Sequence, residues 1–433
     1  MLQMMIYRWQ NGISIFGRLS IHVAVFIIIS CWGVLNAQNR IQPEQVLALA
    51  FKDAEVVAAQ NNADFQRRIN AKLPFLDQIS LRTQTRRSDI YQQDYQARIN
   101  VNGLKEQSAY RKMQASEIAV VEANKLERLH YALYDRYLQL LDYYAVAKKI
   151  PLQEALLRVY LDKIKLLENM AIYAVNTDPE ALMKAEFDRD ELELSIKENK
   201  LILLAKSALF SNTPNSEVDT LGWVSLPQMS QTLILTDTAS TVLHPSGQEE
   251  MAKIARINAE SELEKARGTQ ILDYFQLRYL NRPGEPFRND YSIGAGFNIP
   301  YNGSRHARKS LLRIEQYAAE QDLKTLQFQL SEEIQKSKLQ FFNAQALYIA
   351  IWTQIQKAGQ RYNLKEVAAV DKDGIQTVLL NNEFQLRRQL KLMNTEKEMT
   401  EKYLQVLFLS GRMSETPLVN YLSGTKNTIS SNK

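Results

Sequence analysis

The sequence is poor in the residues that build compact turns and covalent frameworks. It has one cysteine, 11 prolines and 15 glycines among 433 residues. A single cysteine excludes a disulfide framework and a cysteine-rich zinc site. Glycine stands at about half of its usual share of ~7%, and none occurs between Gly103 and Gly222. This gap argues against a Rossmann or P-loop fold, which needs glycines at strand–helix turns, and favours long helices.

Patterns that carry catalysis or bind metals are also lacking. No His-Glu-x-x-His, Gly-x-Ser-x-Gly or Walker pattern occurs. A net charge of +5 gives no indication of nucleic-acid binding. We therefore expect neither an enzyme nor a cofactor. The four histidines lie far apart in the sequence and lack metal-ligand spacing: His22, His130, His244 and His306.

The first 37 residues have the layout of a secretory signal peptide. Arg8 and Arg18 precede a short apolar run, residues 21–35, and a small-residue cleavage site ends at Ala37. A membrane anchor is the alternative, although the run is short for a span of ~20 residues. A looser resemblance to a lipobox makes Cys31 a candidate lipidation site. Cleavage after Ala37 leaves a chain without cysteine, which suits an oxidising envelope compartment.

The chain repeats itself with an offset of 196 to 197 residues. We infer two related halves, 38–211 and 248–411, with a polar linker, 212–247, between them and a C-terminal tail, 412–433. Three matches occur in the same order: 76–82 with 272–278 (Leu-Asp-x-x-x-Leu-Arg), 94–95 with 290–291 (Asp-Tyr), and 182–187 with 379–384 (Leu-x-x-x-Glu-Phe).

Each half is expected to contain a short helix, a strand pair and two long helices. A helix of ~70 residues is about 100 Å long, which no single globular domain buries. Apolar residues of the second half recur at three- and four-residue spacing, as in a coiled coil, although an ordinary helix bundle fits this stripe equally well. Pro151 should kink or end the first long helix. The predicted long helices are 104–175, 180–210, 304–370 and 375–410.

Four segments of the chain alternate between apolar and polar residues, which predicts strands with one apolar and one polar face. Strands of ~9–11 residues can cross a bilayer when tilted. Tyrosines cluster near their ends, as in interfacial aromatic girdles. The predicted strands are 75–85, 91–101, 271–280 and 290–300.

Within these strands, the odd-numbered residues lie on one face and the even-numbered residues on the other. The apolar set is expected to face lipid: Ile79, Leu81, Ile99, Val101, Phe275, Leu277, Ile293 and Phe297. The polar set is expected to line a lumen: Arg82, Gln84, Arg98, Gln276 and Arg278. A water-exposed rim is an equally good place for the arginines. Four strands cannot close a barrel, so membrane strands would require further copies of the chain. The alternative is a soluble hairpin pair whose apolar face covers a helix.

The sequence resembles the TolC-like outer-membrane efflux family over nearly its whole mature length. The resemblance rests on the duplicated element order and on three segments, 297–305, 373–380 and 176–182. It implies a mainly α fold with a small β part. In this family three chains form a twelve-stranded transmembrane β-barrel, four strands per chain, and a trimeric α-barrel of coiled-coil helices. Pro151 interrupts a helix that the family usually keeps continuous.

The resemblance also implies a role and partners. The role is a passive exit duct of a tripartite efflux or type I secretion system in the outer membrane of a Gram-negative envelope, extending through the periplasm. The partners are two further copies of the chain, a periplasmic adaptor (membrane fusion protein) and an inner-membrane transporter. A non-channel periplasmic or surface coiled-coil interaction protein is the alternative function.

The resemblance places two helix turns at the periplasmic tip, where they would contact the adaptor or gate the entrance. Asp178 before Pro179 is also a good helix cap, with proline at the first helical position, and capping is compatible with gating. The tip residues are Asn176, Thr177, Asp178, Pro179, Asp371, Asp373, Gly374 and Ile375.

Overall fold

The computed structural model describes residues 40–69, 73–85, 93–172, 179–210, 217–218, 223–235, 244–269, 272–280, 291–297, 303–361, 374–424 and 427–429. The signal-peptide prediction with Cys31 lies outside these residues. So do five of the predicted tip residues: Asn176, Thr177, Asp178, Asp371 and Asp373.

The described elements follow one order twice: a short helix, an antiparallel strand pair and two long helices. The prediction of a mainly α chain with a small, duplicated β part is confirmed. In chain order the elements are β1 (Arg40–Ile41), α1 (Pro43–Ala48), α2 (Ala54–Arg68), β2 (Leu76–Thr85), β3 (Gln93–Val101), α3 (Leu104–Ile172), α4 (Pro179–Phe210), β4 (Glu217–Val218), α5 (Leu226–Leu235), α6 (Pro245–Gly268), β5 (Leu272–Leu280), β6 (Tyr291–Phe297), α7 (Gly303–Arg361) and α8 (Gly374–Leu409).

Helix α3 has 69 residues and continues through Pro151 to Ile172. Of the two alternatives predicted for Pro151, a kink or the end of the helix, the second is therefore wrong. The proline ring lies on the exposed side, while Ile150 and Leu156 on either side of it are buried. Their packing offsets the lost backbone hydrogen bond. Of the described helices, not one has a stretch long and apolar enough to cross a bilayer.

The main core lies midway along α3, where α1, α5, α8 and the C-terminal segment meet. Tyr137 is fully buried there. Its hydroxyl donates to the Val419 carbonyl (2.9 Å) and accepts from the Tyr421 amide (3.2 Å). Asn420 donates to the Glu44 carboxylate at 2.9 Å. These bonds tie the start of the described chain and the C-terminal segment to the same level of the long helix.

The elements form one layer with open sides. The sheet has the order β2-β3-β5-β6. Between the sheet and the core, neighbouring helices follow the order α2-α3-α6-α7. On the side of the core away from the sheet, they follow the order α4-α3-α8-α7. One side of the layer is therefore formed by β2, α2 and α4, and the other side by β6 and α7.

Candidate functional site

The predicted lipid-facing residues lie in continuous rows across the sheet. In an antiparallel sheet, directly opposite residues share a face. The register therefore joins residues of all four strands into two apolar rows, Ile79-Ile99-Phe275-Ala295 and Leu81-Ala97-Leu277-Ile293.

This apolar face is uncovered in the described chain. Ile79, Leu81 and Ile293 are 61%, 78% and 84% exposed, and Phe275, Leu277 and Phe297 are exposed as well. Burying such side chains is worth about 1.5–3 kcal/mol each, so an uncovered row of them is costly in water. The alternative in which the apolar face covers a helix is therefore wrong for the described residues.

Two members of the predicted lipid-facing set differ from the rest. Ile99 is half-buried, and Val101 is buried. Val101 pairs with Leu76 beside a register shift between Leu76 and Gln78, three residues before α3 begins. At this end the strand passes into the helical part of the chain, so Val101 has almost no surface left for contact with lipid.

A row of tyrosines borders the apolar face at the end away from the helices. Tyr95, Tyr279 and Tyr291 are opposite one another on β3, β5 and β6. Their ring centroids are 6.3 Å and 5.0 Å apart. Tyrosine girdles of this kind mark the membrane–water interface of transmembrane strands.

The five residues predicted to line a lumen share the other face. Arg82 and Arg278 belong to one row, Arg98 and Gln276 belong to the next, and Gln84 pairs with Asp94. Arg278 forms an ion pair with the Asp94 carboxylate at 2.9 Å, and Arg98 forms one with Asp273 at 3.2 Å. The sheet therefore has an apolar face and an opposite face that carries paired charges.

A polar cluster joins three helices toward the end farthest from the sheet. The Tyr160 hydroxyl of α3 donates to Glu383 of α8 at 3.2 Å, and Lys163 pairs with the same carboxylate at 3.0 Å. Arg387 of α8 donates to Tyr160 and pairs with Asp188 of α4 at 3.3 Å. Burial, followed by the Glu383 charge, raises the pKa of Tyr160 and keeps its hydroxyl neutral.

Asp188 belongs to an acidic run that the sequence alone could not distinguish from a solvated helix face. Its partners lie 28 and 199 residues away in the chain. No pattern within a single segment of the sequence could therefore have revealed the cluster. In the described part of the chain, no group of three or more His, Cys, Asp or Glu side chains could hold a metal ion.

Solved structures of outer-membrane channels resemble this chain over most of its length. OprN matches with a TM-score of 0.64 and 12% identity, over 85% of this chain and 89% of that chain. VceC from Vibrio cholerae gives 0.59 and 14%, over 85% and 96%. MtrE from Neisseria gonorrhoeae, in its open state, gives 0.58 and 12%, over 89% and 91%. The chain has the fold of the TolC-like outer-membrane channels. No protein-family model and no curated protein sequence matches it.

Three of the predicted tip residues of the TolC-like fold lie within the described chain. Pro179 is the first residue of α4 and Gly374 the first of α8. Gly374 is buried, whereas Ile375 is 65% exposed. The structure therefore places these three at the starts of the two helices that return from the far end of the layer.

Within the TolC-like fold, the polar face of the sheet also contains a stack that the sequence did not reveal. The guanidinium carbon of Arg98 lies 3.4 Å from the Tyr274 ring centroid, and Tyr274 pairs with Gly296 across β5 and β6. A Cβ at Gly296 would overlap the Tyr274 ring, whereas a Cβ at Gly294 would meet no atom within 4 Å. Gly296 therefore leaves room for the ring that supports Arg98.

The two glycines of β6 form a matched pair for mutation. Gly296→Ala should lower the stability of the sheet by about 1–3 kcal/mol, because the new methyl group must displace Tyr274. Gly294→Ala should be tolerated, because its surroundings are open. Melting temperatures of the two purified variants in the same detergent check this. Equal losses at both positions would contradict the steric role of Gly296.

Proposed function

We propose that this chain is an outer-membrane channel, the exit duct of a tripartite efflux or type I secretion system. The observation that carries the proposal is the uncovered apolar face, bordered by a tyrosine row, on a sheet whose outer strands each have one neighbour among the described residues. Unpaired backbone groups in hydrocarbon cost several kcal/mol each. In lipid, β2 and β6 must therefore pair with other copies of the chain.

The direction of the strands allows such pairing to close. All three neighbouring strand pairs are antiparallel, so β2 and β6 run in opposite directions. Hence β6 of one copy can pair antiparallel with β2 of the next, and a repeated rotation closes the ring. Two copies would give eight strands, whose interior is filled by side chains. Three copies give twelve strands and a diameter of about 24 Å for ~4.8 Å spacing and ~40° tilt. We therefore propose a homotrimer.

The proposed channel is passive and depends on partners for its energy. The sequence has no nucleotide-binding pattern, so export would be driven by an inner-membrane transporter and coupled through a periplasmic adaptor. The predicted tip segments 176–179 and 371–375 are the proposed adaptor contact or gate. A helix as long as α3 reaches about 100 Å into the periplasm. The predicted signal peptide, 1–37, would direct the chain to the envelope.

Disulfide trapping of the sheet edges tests this proposal. In a Cys31→Ser background, Leu81→Cys on β2 is combined in turn with Tyr291→Cys, Ile293→Cys or Ala295→Cys on β6. Within one chain these strands are three spacings apart, about 14 Å, whereas a disulfide needs Cα atoms about 4.4–6.8 Å apart. Any disulfide must therefore join different copies.

The expected result is a covalent trimer from outer-membrane fractions for at least one pair, together with ion conductance in planar bilayers. Leu81→Cys alone is the control and should remain monomeric on denaturing gels. A monomer recovered from the soluble periplasm would favour the alternative, a periplasmic coiled-coil protein without a channel.

A further inference from the structure

We propose that the outer surface of the layer next to the sheet binds the headgroups of anionic phospholipids in the inner leaflet of the outer membrane. The proposal rests on the proposed channel function and adds a lipid class to it. It is carried by three residues that we call the basic collar: Lys105 at the start of α3, and Lys309 and Arg313 at the start of α7.

The helix starts next to the sheet are rich in positive charge. Residues 303–313 of α7 contain four basic residues and no acidic one, and residues 104–112 of α3 contain three basic residues and one acidic one. Lys112 pairs with Glu262 of α6 at 3.0 Å. The members of the basic collar, by contrast, form no ion pair with any residue that the structure describes. The fold therefore leaves these positive charges for a partner outside the chain.

The core shows which face of the layer points away from the tunnel. Leu140 of α3 is buried in the same core as Val46 of α1. On α7, Gln345 donates to the Ser230 hydroxyl of α5 at 3.1 Å. Helices α1 and α5 thus lie against this face of α3 and α7. In the proposed channel they must lie on the outside, because on the inside they would fill the tunnel.

The collar residues of α7 lie on the helix lines that reach this core. Leu330 and Ser337 are seven residues apart and both buried, as in the repeat of a coiled coil. Lys309 lies three such repeats before Leu330. Arg313 lies three repeats before Ile334, which is also buried in the core. The outer face of α7 therefore changes from apolar at the core to basic beside the sheet.

The same change occurs along α3. Leu133 and Leu140 are seven residues apart and fully buried. One repeat earlier, Leu126 lines a groove together with Phe51, which packs against both clusters of the core. Lys105 lies three repeats before Leu126. Lys105 is therefore on the outer face as well.

The height of the collar matches that of the lipid headgroups. The apolar band of a transmembrane barrel is about 25 Å tall. Strand residues advance about 2.6 Å each along the membrane normal at ~40° tilt, so the band ends about ten residues from the tyrosine row. Lys105 is the tenth residue after Tyr95. Leu104, directly before it, is 75% exposed and still suits the hydrocarbon.

The direction of the helices aims the collar at the membrane. Side chains tilt toward the N-terminus of their helix, and α3 and α7 both begin at the sheet. Lys309 lies about 9 Å along α7 from its first residue, and Arg313 about 15 Å. Long basic side chains extend their charges toward the headgroups from such positions. An acidic protein segment would also fit free cations, but the exposed apolar Leu104 beside Lys105 favours lipid.

A tryptophan reporter beside the collar tests the proposal. The reporter is Leu104→Trp, and the chain without it gives the background of the native tryptophans. Purified protein is reconstituted into phosphatidylcholine vesicles that contain either brominated phosphatidylglycerol or brominated phosphatidylcholine as the quencher. The neutralised variant adds Lys105→Gln, Lys309→Gln and Arg313→Gln to the reporter.

A matched control variant removes three positive charges far from the sheet. It combines the reporter with Lys165→Gln on α3 and with Lys184→Gln and Lys197→Gln on α4, all at exposed positions. Lys165 lies 60 residues beyond Lys105 in the sequence, which is about 90 Å along the helix. The two variants therefore differ in the place of the lost charges and not in their number.

At low salt the reporter should favour phosphatidylglycerol over phosphatidylcholine by about 5-fold, the effect of one basic residue near an anionic surface. The preference should disappear in the neutralised variant, persist in the control variant, and weaken in about 1 M salt, where the Debye length is about 3 Å. Equal quenching by the two lipids, or quenching by neither, with ion conductance intact would overturn the lipid site and leave the channel in place. Loss of both quenching and conductance in the parent chain would instead overturn the proposed function.

Discussion

Ile79→Lys should prevent insertion of the chain into the outer membrane, whereas Gln84→Lys on the same strand should not. Ile79 is 61% exposed and lies two rows from the tyrosines, within the apolar face. A lysine facing the bilayer midplane costs about 2–4 kcal/mol, and the proposed trimer would carry that cost three times. Gln84 lies on the polar face opposite Asp94, which can accept a positive neighbour.

Density-gradient fractionation of the envelope, followed by gels of unheated samples, measures this difference. The Gln84→Lys variant should recover trimer in the outer-membrane fraction at the level of the parent chain. Equal recovery of the Ile79→Lys variant would show that the apolar row does not face lipid. Both variants add one positive charge to β2, so a general charge effect cannot produce the contrast.

The faces of this sheet were predictable because period-two alternation is a local property of the sequence. Parity alone places Ile79 with Leu81 and Arg82 with Gln84. What parity cannot give is the register between strands, which decides that Tyr95, Tyr279 and Tyr291 form a row. Register depends on pairing between segments about 180 residues apart, so the sequence could suggest that tyrosines cluster near the strand ends but could not show that these three form a row.

The features that the sequence missed are long-range or depend on tertiary compensation. The cluster around Tyr160 combines side chains from three helices, with Glu383 223 residues away. The role of Gly296 depends on the Tyr274 ring across two strands. Pro151 is locally a helix breaker, but the buried residues around it outweigh one lost hydrogen bond.

Acid should destabilise the folded chain through two buried histidines, His130 and His244, where α3, α6 and α8 meet. His130 is fully buried, and its Nε2 lies 2.9 Å from the Phe408 carbonyl. Because a carbonyl only accepts, Nε2 carries the hydrogen and Nδ1 is the basic nitrogen. The Nδ1 of His244 accepts from the Ser246 amide at 3.3 Å and caps α6. Among the described residues, the remaining ring nitrogens of both histidines have no hydrogen-bond partner.

The direction of the pH effect follows from the two pKa values. Burial, and then the neighbouring His244, lowers the pKa of His130 from 6.5 to about 3. Burial lowers the pKa of His244 from 6.5 to about 4. Below pH 6.5 the unfolded chain therefore binds protons that the folded chain does not. The free energy of unfolding that the two neutral histidines contribute is fully present above that pH. It is lost as pH falls toward 4, by about 1.4 kcal/mol per pH unit for each histidine.

The carboxyl of Glu127 nearby acts in the opposite direction. Burial, followed by Glu249, raises the pKa of Glu127 from 4.5 to about 7. Its contribution therefore favours the folded chain as pH falls from 7 to 4.5 and offsets part of the histidine effect in the parent chain. A variant that removes only the histidine isolates the contribution of that histidine, because Glu127 is present in both proteins.

His130→Phe keeps the aromatic stack on Phe408 but cannot bind a proton. At pH 7 it should be less stable by about 1 kcal/mol, because the Phe408 carbonyl loses a donor. Between pH 6.5 and 4.5 its stability should fall less steeply than that of the parent chain, by about 1.4 kcal/mol per pH unit. Chemical denaturation in detergent at a series of pH values measures the free energy of unfolding of both proteins and so gives its slope against pH for each. His306→Gln, at an exposed position on α7, is the control and should keep the parent slope. Identical slopes for His130→Phe and the parent chain would mean that His130 takes up its proton in the folded state, despite its burial.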